Sequence, residues 1–134
     1  MTPYQKLQHL ILSKAAKWDE IELGEVTPEN IDDLWDEYEN QDSIYDATNE
    51  IRQSWDEETD MPCEWSSHYE SKSVAAKMPD GSWVGWTYWY GGGKHGEPEV
   101  IDWMESAYNI DCIEEERVVT VRTFTKREEP QCTD

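Results

Sequence analysis

Residues 70–93 read ESKSVAAKMPDGSWVGWTYWYGGG, and how they divide decides the fold. Pro79-Asp80-Gly81-Ser82 is strong turn chemistry: proline sets φ, the short acid bonds nearby backbone, and glycine accepts a positive φ. The runs on either side, within residues 64–78 and over residues 82–90, have strand character, so the stretch reads as an antiparallel hairpin. In the second run Trp83, Gly85, Thr87 and Trp89 share one face, and Val84, Trp86, Tyr88 and Tyr90 share the other. The latter is the more continuously apolar and is the expected core face. So small a sheet is expected to leave some rings at the surface, where Trp and Tyr favour protein contacts.

Upstream of the hairpin the periodicity is helical. Thr2-Pro3 is a cap followed by proline in the first turn, and Tyr4, Leu7, Ile11, Ala15 and Trp18 then form one apolar stripe. Thr27-Pro28 repeats the start signal, with Ile31, Leu34, Trp35 and Tyr38 on one face. A third helix is expected from Ser43, with Ile44, Ala47, Thr48, Ile51 and Trp55 inward. Downstream, the spacing of Ile101, Met104, Ala107 and Tyr108 predicts a helix from Pro98. The β-branched alternation of RVVTVRTFTK, residues 117–126, predicts a strand. The fold class is therefore α+β: acidic N-terminal helices packed with a small, mainly antiparallel three-stranded sheet, in the order ααα-ββ-α-β. Residues 1–127 read as one domain, with an acidic helical part over 18–64 and an aromatic hairpin-helix-strand part over 65–127. Residues 128–134 form a loose tail.

The chain has 134 residues and only 37% hydrophobic content, but eight Trp and seven Tyr. Each such ring buries about 150–250 Å², so a few suffice for a modest core. The net charge of −20 repels nucleic acid and anionic lipid and speeds encounter with basic protein surfaces. Direct nucleic-acid and membrane binding are therefore not expected. The three cysteines, Cys63, Cys112 and Cys132, lack a CxxC or metal-ligand spacing, and no long apolar run is present. Both point to a reducing cytoplasm.

Between residues 18 and 64 there are eighteen Asp or Glu and one base, Arg52. The candidate partner-binding residues are Asp32, Asp33, Asp36, Glu37, Glu39, Asp42 and Asp46, extended by Asp56, Glu57 and Glu58. Carboxylates on adjacent helical turns lie about 5–6 Å apart, a row comparable to duplex DNA with its charge every ~1.7 Å of axis. Such a row suits a groove built for phosphates; a heavily solvated acidic face is the plain alternative. A second candidate site is the loop Gly91, Gly92, Gly93, Lys94, His95 and Glu97, where amides and a cation before Pro98 suit an anion. The Walker spacing is absent, and glycine runs also serve simply to turn a strand. His68, His95 and Glu97, with or without Cys63, form no catalytic or metal signature, so no catalytic residue, metal or cofactor is assigned.

The segment DGSWVGWTYWYGGGKHGEPEVIDWMESAY, followed by EEERVVTVRTFTK, resembles small acidic proteins encoded by tailed bacteriophages and prophages. The likeness runs from Asp80 to Lys126. The Trp/Tyr strand, Gly91–Gly93, Lys94-His95, Gly96, Pro98 and VVTVRTF carry it. It implies a mobile-element origin and the cytoplasm of a bacterial host, and supplies no catalytic residues. The combined expectation is a non-enzymatic inhibitor or modulator of a host nucleic-acid-binding protein. A ligand-binding protein or enzyme using the glycine loop, and a homo-oligomeric assembly component using exposed aromatics, are the alternatives.

Overall fold

The computed structural model describes residues 1–93 and 96–128. Three helices, α1 (Pro3–Asp19), α2 (Ile31–Tyr38) and α3 (Asp42–Gln53), precede a four-stranded antiparallel sheet. Its strands are β1 (Glu57–Glu58), β2 (Glu70–Lys77), β3 (Trp83–Tyr90) and β4 (Tyr108–Ile110), neighbours in that order. The architecture is α+β.

Helix α1 starts as its sequence requires. The Thr2 hydroxyl accepts from the Gln5 amide, the Gln5 side chain accepts from the Thr2 amide, and Pro3 occupies the first turn. Its stripe buries Leu7, Ile11, Leu12 and Ala15 but ends there, leaving Trp18 exposed. Helix α2 begins one turn later than expected. Thr27 and Asn30 bond reciprocally, amide to side chain, around a turn, and the helix starts at Ile31. On α3, Ile44, Ala47 and Ile51 are buried, while Trp55 follows the helix and is half-buried.

The hairpin pairs Glu70 with Tyr90 through Lys77 with Trp83. This register puts Val74 opposite Trp86 and Ala76 opposite Val84 on one face, and those four join the helices' apolar residues in one core. Thr87 and Trp89, on the other face, are also buried. Of the five rings on this strand Trp86 and Trp89 are buried, while Trp83, Tyr88 and Tyr90 are half-buried and partly at the surface; the fully exposed rings among the described residues are Trp18, Tyr45, Trp65 and Phe124.

Two expected elements are absent. Residues Pro98–Val100 and Met104–Ser106 form separate 3-10 turns, not an α-helix. Trp103 and Met104 are both buried, and Tyr108, the last position of the expected stripe, is claimed by β4. Trp103 packs on Trp86 with ring centroids 5.5 Å apart. Tertiary packing overrides a short periodic signal. Residues 117–126 form no strand; the strand that pairs with the far side of β3 is β4, Tyr108–Ile110. The sheet therefore has four strands, with β1 and β4 as its edges.

Gly85 shows how closely β4 is fitted. It pairs with Tyr108, and a Cβ there would lie 2.6 Å from the Tyr108 ring. Gly85→Ala should therefore destabilise the fold by about 1–3 kcal/mol, the usual scale of overpacking. Removing the ring should relieve the clash, so in urea the Gly85→Ala/Tyr108→Ala pair should lose less than the sum of the single changes. Strict additivity would mean that the ring does not cover Gly85.

Candidate functional site: an acidic face and a glycine turn

All ten acidic candidates are exposed. Asp32, Asp33, Asp36 and Glu37 lie on α2, and Glu39 caps its C-terminus. Asp42 and Asp46 occupy the first half of α3, immediately after the turn joining the two helices. The apolar face of α2, comprising Ile31, Leu34, Trp35 and Tyr38, packs on the core, so its carboxylates necessarily face water. Asp32, Asp33 and Asp42 sit in first turns, where the helix dipole favours them. Glu37 and Glu39 sit at the unfavourable end. Asp32 with Asp36, Asp33 with Glu37, and Asp42 with Asp46 are like-charge pairs at i, i+4, each costing about 0.2–0.5 kcal/mol.

Asp56, Glu57 and Glu58 are placed differently, at the sheet's edge. Asp56 accepts a 2.7 Å hydrogen bond from the Lys77 amide, and Glu57 and Glu58 pair with Ala75 and Val74. Of the ten, only Glu58 has a cationic partner among the described residues, Lys72 at 3.9 Å. The negative field also reaches α1. Burial raises the Tyr4 phenol above its ordinary range, and Glu105, Asp102 and Glu39 push it in the same direction. Two acids outside the expected set, Asp102 and Glu105, thus lie near Tyr4 of α1. Nothing in their local sequence marked them, because the 3-10 turns position them.

The glycine loop is explained by its backbone. Gly91, Gly92 and Gly93 have φ of 78°, 86° and 67°, values that side chains rarely adopt. A Cβ on Gly92 would lie 2.7 Å from the Tyr69 ring and 3.0 Å from Gly96. The Tyr69 hydroxyl accepts from the Glu97 amide at 3.2 Å, closing the loop. Lys94 and His95 lie outside the described residues, so of the proposed ligand loop only the glycines and Glu97 are placed. Beside it is an open depression of about 540 Å³, with Trp65, His68, Tyr69, Glu70 and Tyr90 among its walls.

One cluster was not foreseen. Lys72 lies 4.8 Å from the Trp55 ring, 5.4 Å from Tyr90 and 5.9 Å from Tyr88, and Arg52 lies 5.1 Å from Tyr88. These cation–π contacts use two of the chain's eleven bases to cover the end of the aromatic strand. The signal was the pairing of Lys72 with Tyr88, visible only once the hairpin register is known.

Cys63 and Cys112 are exposed thiols, and Cys132 lies outside the described residues. Among the described residues no group of His, Cys, Asp and Glu is arranged to hold a metal ion, and no helix is long and apolar enough to cross a membrane. The chain matches no protein-family model, no curated protein and no solved structure.

Proposed function

We propose that this chain is a non-enzymatic, phage-type acidic protein of the bacterial cytoplasm. It binds a host nucleic-acid-binding protein and occludes its basic groove, presenting carboxylates where that groove holds phosphates. The observation that carries this reading is the exposed, unneutralised row on α2 and the start of α3. Three like-charge pairs at helical spacing oppose folding, and a net charge of −20 far exceeds the magnitude of about 2–8 that solubility needs in a small domain. A basic groove would receive the row with favourable long-range steering, and salt would weaken the complex steeply.

The test is affinity capture from nuclease-treated bacterial lysate, washed at low and at high salt, with retained proteins then challenged by duplex DNA. A nucleic-acid-binding protein held at low salt, released at high salt and displaced by the duplex is the expected result. Retention of nothing at either salt, or of a protein indifferent to both salt and DNA, would overturn the proposal.

A further inference from the structure

The C-terminal segment is chemically unlike the rest of the molecule. Arg117, Arg122, Lys126 and Arg127 are four of the eleven bases, and no acid lies between residues 117 and 127. Val118, Val119, Val121 and Phe124 are each at least 74% exposed. A β-branched, apolar segment open to water is normally paired or covered. In this fold it is neither.

The sheet offers a place for it. β4 is an edge strand, paired on one side only among the described residues, and an apolar depression of about 240 Å³ runs from it across the sheet to β1, walled by Ile110, Trp83, Ala75, Glu57 and Ile113. The chain's own segment leads away from that edge. Cys112 and Ile113 line the depression together with Glu57 of β1, and Glu114 lies 3.7 Å from Lys77 at the end of β2. Residues 111–114 thus lead from β4 across the sheet toward β2 and β1, away from the free side of β4. A second copy can approach the β4 edge without undoing that crossing.

We propose that residues 118–124 are a strand donated to the β4 edge of a second copy of this chain. Reciprocal exchange closes a two-fold dimer, with each edge used once. Charge selects this occupant: a basic strand meets an acidic body, and Asp111 follows directly on the β4 edge that it joins. The alternation of the segment then serves the sheet for which its sequence is suited, but in trans. This inference does not depend on the identity of any host target.

Sedimentation equilibrium of the full chain, at concentrations up to about 1 mM, tests the proposal. A monomer–dimer equilibrium that weakens with salt is expected. Val121→Pro, in a segment outside every element of the monomer, should weaken it about tenfold or more, because proline cannot donate to a ladder; Val121→Ile should leave it intact. Hydrogen exchange should show amides 118–124 protected only as the dimer fills. A chain monomeric throughout overturns the proposal, whether those amides are protected by its own sheet or left open for a different protein. So does a dimer indifferent to Val121→Pro.

Discussion

Trp86→Ala should remove about 3–5 kcal/mol of stability, a large share of the 5–15 kcal/mol typical of a domain. Trp86 is fully buried, faces Val74 across the hairpin and packs on Trp103. Its indole Nε1 donates to the Arg52 carbonyl at 3.2 Å, and Arg52 Nη1 in turn donates to the Trp89 carbonyl at 2.7 Å. Helix α3 is therefore tied to β3 by two buried bonds running in opposite directions. Alanine removes the ring, the bond and the packing surface of Trp103 together. Trp86→Phe separates these contributions: most apolar contact survives, while the Arg52 carbonyl loses its donor, at about 1–3 kcal/mol. Urea unfolding followed by far-UV circular dichroism should rank wild type above Phe and Phe above Ala. An alanine variant with an unchanged midpoint would mean that this ring is not the centre of the core.

That centre was legible from sequence because alternation is a strong signal over eight residues with a proline–glycine turn before it. The face carrying Val84 and Trp86 followed directly. The three helices were legible through their caps and stripes, although Thr27 closes a turn ahead of α2 and does not cap it. The C-terminal third was not. Residues 117–126 have stronger strand character than Tyr108–Ile110, yet only the latter pair with β3. Strand propensity records fitness for a sheet, not possession of an edge. Lys72 belongs to the same class of omission, since a cation–π cluster of Trp55, Lys72, Tyr88 and Tyr90 joins residues far apart in the chain. For the acidic face, exposure was readable from the apolar stripe opposite it. The division between the helical carboxylates and the edge residues Asp56, Glu57 and Glu58 was not, because it depends on where β1 pairs.

This division shapes the second large effect. Neutralising Asp36, Glu37, Glu39 and Asp46 together, as Asn and Gln, should abolish target binding while leaving the fold at least as stable. None of the four accepts a hydrogen bond from another element among the described residues. Their loss relieves three like-charge pairs at about 0.2–0.5 kcal/mol each and removes negative charge from the α2 C-terminus. The unfolding midpoint in urea should therefore stay level or rise, by about 0.5–1.5 kcal/mol. Binding moves the other way. Four contacts at about 0.5–1 kcal/mol each amount to a loss of roughly 30- to 1,000-fold in affinity, with a shallower salt dependence. Asp32 and Asp33 are kept because the helix dipole stabilises them where they stand, so neutralising them would confound binding with folding. A charge-preserving variant, Asp36→Glu with Asp46→Glu, should retain the target and confirm that charge is what is read. Opposite signs for stability and binding distinguish a functional row from a merely solvated one. A solvated face gains stability on neutralisation and loses nothing else, so unchanged capture by the quadruple variant would remove α2 and α3 from the interface.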